Sequence, residues 1–171
     1  MEDVIKDALI KDLQAGTISC RGHVMQRCVE LEMLIDIYIG KYFTNERKKL
    51  EELVTLIIAP RMTFDSKIQV LKVLIDDNES GFKTKYPNFN KHLKEIIENR
   101  NIFAHYPVDL SNYALSHYKK DKTITLLKFK NVKDQITNKN KLINRVQFTN
   151  KEITVLIDKI YDYINIFTDL L

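Results

Sequence analysis

Apolar residues recur every three or four positions over most of the chain, the spacing that gathers them on one face of an α-helix. Val4, Ile5, Ala8, Leu9 and Leu13 predict a short first helix that Gly16 ends. Residues 17–19 open a longer helix to about Phe43, with Val24, Cys28, Leu31, Ile35, Tyr38 and Tyr42 as a continuous buried seam. A third helix starts near Thr44 or Asn45 and carries Leu50, Leu53, Val54, Ile57 and Ile58. It is expected to end before Pro60, because the proline ring removes a helical N–H and crowds the preceding residue. Thr63 or Asp65 caps a fourth helix, with Ile68, Leu71, Val73, Leu74 and Ile75 inside. Residues 78–88, which include Gly81 and Pro87, read as a loop before a further helix beginning at Phe89.

The period then changes. TITLLKFK (residues 123–130) and LINRVQFT (residues 142–149) are rich in β-branched and aromatic residues with partial alternation, which predicts two strands. The polar connector NVKDQITNKNK is too long for a tight turn. Thr149 followed by Glu152 fits a capping box that opens a last helix. Ile153, Leu156, Ile157, Ile160, Ile164, Phe167 and Leu171 share one side of it. The expected fold class is all-α: an antiparallel helical bundle, one domain over residues 1–171, with a β-hairpin-like basic insertion at about 119–148 before the last helix.

Composition narrows the class. The chain has 171 residues, 44% of them hydrophobic and 29% charged, which suits a soluble globular domain rather than a disordered one. Cys20 and Cys28 lie on one expected helix and form neither a disulfide framework nor a CxxC metal motif, so both read as reduced core thiols. MEDVIKDALIKDL has no basic start followed by an apolar run, and no segment reaches the ~18 apolar residues of a membrane span. The expectation is a cytoplasmic protein without membrane association. The net charge is +4 and unevenly placed: nine Lys and Arg between Lys119 and Arg145 face only Asp121 and Asp134. Lys128, Lys130 and Lys133, with Tyr118 as an aromatic neighbour, are candidates for holding an RNA backbone. The competing reading is an edge hairpin whose lysines discourage aggregation.

One stretch departs from simple patterning. In ENRNIFAHYP (residues 98–107), Arg100 falls near the centre of the sector that also holds Phe89, Leu93, Ile96, Ile97, Phe103 and Ala104, at about 100° per residue. A guanidinium cannot shed its charge, so it needs a carboxylate, carbonyls, a cavity or a second subunit beside it. Glu32 and Asp36, one turn apart on the long helix, are candidate partners. Asn101 and His105 lie about 40° apart beside the stripe. Pro107 puts His105 in the final turn, with Tyr106 outside it. Taken alone, two basic side chains near a helix C-terminus are explained by the macrodipole.

RNIFAH resembles the RX4–6H motif of the HEPN superfamily, in the subtype where Asn follows the arginine. The helices carrying VELEMLIDIYIGKYF and MTFDSKIQVLKVLI also follow the order of small HEPN proteins, over roughly residues 17–107 plus the closing helix. The resemblance implies a metal-independent endoribonuclease without a cofactor, acting as a homodimer whose Arg and His meet in a composite cleft. It also implies an RNA substrate, 2′,3′-cyclic phosphate ends, and a role as a toxin or antiviral-defence effector. Arg100 would then stabilise the developing phosphorane, His105 would carry protons, and Asn101 would orient His105 or the phosphate, with Tyr106, Glu32 and Asp36 supporting. In HEPN toxins paired with a nucleotidyltransferase antitoxin a tyrosine stands two residues after the histidine. Here Pro107 occupies that place, which argues against tyrosine adenylylation, although an antitoxin or nucleotidyltransferase stays among the implied partners. The alternatives are a non-catalytic HEPN dimer serving as an RNA-binding or protein-interaction module, and a helical partner-binding protein that makes no use of the motif.

Overall fold

The computed structural model describes residues 2–130 and 142–171. In chain order it places α1 (Glu2–Phe43), α2 (Arg47–Leu53), a π-helical turn (Val54–Ile58), α3 (Ala59–Arg61), α4 (Phe64–Asn78), α5 (Phe82–Lys85), α6 (Phe89–His105) and α7 (Asn112–Asp121). Strands β1 (Ile124–Lys130) and β2 (Leu142–Phe148) follow, and α8 (Asn150–Leu170) closes the chain. The fold class is the expected one, all-α with a two-stranded antiparallel hairpin before the last helix. No helix among the described residues is long and apolar enough to cross a membrane. Two compact units are formed, residues 1–25 with 101–156 and residues 26–100 with 157–171.

In the first unit the strands pair from Ile124↔Phe148 to Lys130↔Leu142. Alternation turns Ile124, Leu126 and Phe148 into the core, where Phe148 meets Phe103 of α6 with ring centroids 4.6 Å apart. The other edge of β1 takes the segment after α6. Leu127 N–H donates to the Pro107 carbonyl and Asp109 N–H to the Thr125 carbonyl, both at 2.8 Å. Sequence patterning does not predict α7. Its three buried residues, Ala114, Leu115 and Tyr118, make too short a pattern to stand out. Its start is nonetheless encoded, because Ser111 Oγ accepts from Ala114 N–H. The capping box is present as expected. Thr149 Oγ1 accepts from Glu152 N–H at 3.2 Å, and Glu152 Oε2 accepts from Thr149 N–H at 2.8 Å.

Gly16 does not end a helix. α1 runs through it for 42 residues, because the missing side chain here makes room rather than a turn. A Cβ at Gly16 would lie 2.8 Å from Tyr118 Oη and an ordinary 3.7 Å from the ring carbon bearing it. Tyr118 Oη donates to the Asp12 carbonyl one turn away, which fixes the ring over the glycine. Gly16→Ala is expected to lower stability by about 1–3 kcal/mol through that clash, despite alanine's better helix propensity. In a Tyr118→Phe background the same change is expected to stabilise by up to about 1 kcal/mol, since the obstructing oxygen is gone. Thermal unfolding of the four proteins checks this, and one sign in both backgrounds would refute the clash.

The second unit has a core of Leu31, Ile35 and Ile39 from α1, Ile68, Leu71 and Ile75 from α4, Leu93 and Ile96 from α6, and Ile160 and Phe167 from α8. Phe82 and Phe89 stack edge-on at 5.0 Å, and Phe89 reaches Tyr163 at 5.7 Å. Thr63 rather than Asp65 caps α4, accepting from Ser66 N–H. Three expectations fail here. Tyr42 and Val73 are exposed: Val73 lies opposite the buried sector of α4, whereas Tyr42 continues the seam of α1 but stands in that helix's last turn. Nor does the third helix stop at Pro60. Ala59 keeps helical dihedrals (φ −62°, ψ −48°), and Pro60 sits in the first turn of α3, where its missing N–H follows a widened π turn. The expected loop at 78–88 also holds the single turn of α5, entered through Gly81 at φ 84°.

Candidate functional site

α6 carries all three motif residues, and it ends at His105 as Pro107 requires. Arg100 belongs to the second unit, and Asn101 and His105 to the first. Arg100 is half-buried on the face that also holds the fully buried Leu93 and Ile96. Its charge is felt by Cys28 on α1. Burial pushes the Cys28 thiol up to about 12, with the Arg100 guanidinium acting against that rise. Cys20 is likewise pushed up to about 11 by burial. Neither cysteine therefore offers a thiolate near neutral pH; Cys28 is the expected core thiol, while Cys20 is only half-buried.

Asn101 and His105 are both exposed. His105 has its imidazole in the last turn of α6, where Tyr106 N–H still bonds to the Ile102 carbonyl at 3.0 Å. An imidazole exposed at a helix end is accessible to solvent and ligand. Among the described residues no group of His, Cys, Asp and Glu could hold a metal ion.

Tyr106 is half-buried and collects two cations. Arg21 of α1 donates through Nη2 to its carbonyl, and the Lys128 ammonium of β1 stands 5.8 Å from its ring centroid. The strand contacts at Pro107 and Asp109 hold β1 where Lys128 makes this approach. Sequence patterning gives no signal for Arg21.

The other hairpin residues divide. Lys130 is described by its backbone alone, and Lys133 lies outside the described residues. Tyr118, expected beside an RNA backbone, is instead buried at 5% exposure and packed over Gly16. Two of the nine cations are neutralised within the unit. Lys122 pairs with Asp12 at 2.6 Å, and Arg145 Nε donates to Asp109 Oδ2 at 2.7 Å. Asp109 is buried, which would raise its carboxyl, but the bonds from Arg145 and Ser111 outweigh burial and hold it below the usual carboxylate range.

Glu32 and Asp36, candidate partners for Arg100 by sequence, both pair with Lys67, a second cation set within an apolar stripe. Lys67 of α4, at 1% side-chain exposure, places Nζ 2.7 Å from Glu32 Oε1 and 2.9 Å from Asp36 Oδ2. Burial raises the Asp36 carboxyl above its ordinary value, and Lys67 only partly opposes this. Asp36 Oδ1 is buried without a hydrogen-bond partner. Lys67 and Asp36 are therefore a costly buried ion pair, with the half-buried Glu32 beside them. His92 is also placed by the core, with Nδ1 3.1 Å from Tyr163 Oη. No family model, no curated protein and no solved structure matches this chain.

Proposed function

We propose that this chain is a metal-independent endoribonuclease of the HEPN type, acting as a homodimer with Arg100, Asn101 and His105 at a composite cleft. The observation that carries the reading is RNIFAH closing α6, with the helix ending at an exposed His105. A half-buried Arg100 on the apolar side of the same helix adds support, because it sets a permanent cation on a face that a second copy bringing RNA could meet. Exposed Val29 and Met33 on α1 give the second unit apolar surface that such a copy could cover.

The chemistry uses the ribose itself. His105 takes the proton of the 2′-hydroxyl as the O2′–P bond forms. The P–O5′ bond then breaks, and the departing 5′-oxygen takes a proton. The products are a 2′,3′-cyclic phosphate and a 5′-hydroxyl. Arg100 supplies a planar, permanently charged fork to the phosphorane oxygens, and Asn101 orients the imidazole or the phosphate. Toxin or antiviral-effector activity, held in check by an antitoxin, is the biological role this chemistry fits.

The test is incubation of the purified chain with mixed RNA, structured tRNA included, in excess EDTA. Cleavage that survives chelation and leaves cyclic phosphate ends is the expected result, from a species that elutes as a dimer. Intact RNA throughout would overturn the nuclease reading and leave a dimeric RNA-binding or protein-interaction module. A strict monomer would remove the composite cleft.

A further inference from the structure

We propose that Arg21 and Lys128 form a phosphate subsite beside His105 that receives a backbone phosphodiester next to the one cleaved. The subsite rests on the RNA reading above and adds a group, Arg21, that the motif does not contain. All three residues belong to the first unit.

Arg21 is the central residue. It is half-buried, and among the described residues it makes no ion pair with any carboxylate. One Nη bonds to the Tyr106 carbonyl, while Nε is buried without a hydrogen-bond partner. A guanidinium has five N–H donors, so this arrangement leaves most of them unused in a place where water is partly excluded. The carbonyl ends of α6 offset some of the charge, by the partial negative end of the helix dipole, but cannot replace a full anion. Lys128 repeats the pattern. It is half-buried, makes no ion pair among the described residues, and lies over the ring of the same Tyr106. Arg145 and Lys122, by contrast, each have a carboxylate within 2.7 Å.

Two cations without counter-ions among the described residues therefore converge on one residue, and that residue follows His105 in the chain. A phosphodiester satisfies both at once. Its two free oxygens suit the guanidinium fork, and the ammonium can act as a point charge from the other side. Tyr106 is then a positioning residue, holding Arg21 by its carbonyl and Lys128 by its ring.

The experiment uses a fluorescein-labelled single-stranded RNA in which every ribose is 2′-O-methylated. It lacks the attacking hydroxyl, so binding is read without cleavage. Anisotropy titrations run from 50 to 200 mM salt for the wild type, Arg21→Met and Lys128→Gln, with unmodified RNA assayed in parallel. Each substitution is expected to weaken binding about five- to tenfold at low salt. Each should also reduce the slope of log K against log salt by about 0.7, the value for one lost phosphate contact on a single strand. Arg21→Met also loses the bond to Tyr106, so Lys128→Gln decides the outcome should that variant melt early. Affinities and slopes equal to wild type in the folded variants would overturn the subsite and leave the nuclease reading intact. Weakened binding with unmodified RNA left uncut would support the subsite and overturn the nuclease reading. A wild type that binds no RNA at 50 mM salt would overturn both.

Discussion

Replacing His105 with alanine is expected to lower RNA cleavage by about 10²–10⁴-fold, the usual contribution of one positioned acid–base group. The loss should fall on turnover rather than on affinity, because in the proposed reaction the imidazole moves a proton while cations hold the phosphates. His105 is exposed at the end of α6 and packs into no core, so the variant should unfold at the wild-type temperature. Single-turnover rates in EDTA, beside a thermal melt, check both halves. Unchanged rates would remove His105 from the reaction.

Lys67→Met is expected to destabilise the second unit by about 3–5 kcal/mol at pH 7, the cost of stranding buried charge by deleting its partner. Methionine fills most of the lysine's volume, so the loss is electrostatic and not a cavity. Its pH dependence follows from Asp36, whose carboxyl is already raised by burial and lowered by Lys67. Without the ammonium that value rises further. A carboxyl with a raised folded-state value favours the fold below its unfolded value, near 3.9, and opposes it increasingly as pH climbs through the folded one. The penalty of Lys67→Met should therefore shrink as pH falls from 7 toward 4 and Asp36 takes a proton. Urea denaturation at the two ends of that range measures it. A penalty that is small at pH 7, or that grows on acidification, would show that Lys67 does not hold the cluster.

Much of the fold could be read from spacing alone. The capping box at Thr149 and the end of α6 before Pro107 rest on local chemistry within four residues, and each hairpin strand on the composition of its own seven. Gly16 fails for a different reason, a deciding contact distant in sequence. Gly16 resembles a helix stop until Tyr118, some hundred residues later, is placed over it. Lys67 is different, because its signal is present. At about 100° per residue it lies in the same sector of α4 as Phe64, Leu71 and Leu74, whereas Val73 lies opposite them. A cation within an apolar stripe marks Arg100, and the same feature marks Lys67 and leads to its acid partners. Of the motif itself the sequence shows identity and helix position. Arg21 is illegible there, since only the folded chain brings α1 to the Tyr106 carbonyl.

The first unit joins residues 1–25 to residues 101–156, and this order of assembly has a consequence during synthesis. Leu13 and Val24 leave the ribosome early, but the rest of their unit begins only at residue 101. At ~5–20 residues per second the nascent N-terminal segment waits about 5–20 s with its apolar face uncovered. Newly made chains should therefore depend on holding chaperones over that interval, and slowing translation between residues 25 and 118 should raise the aggregated fraction.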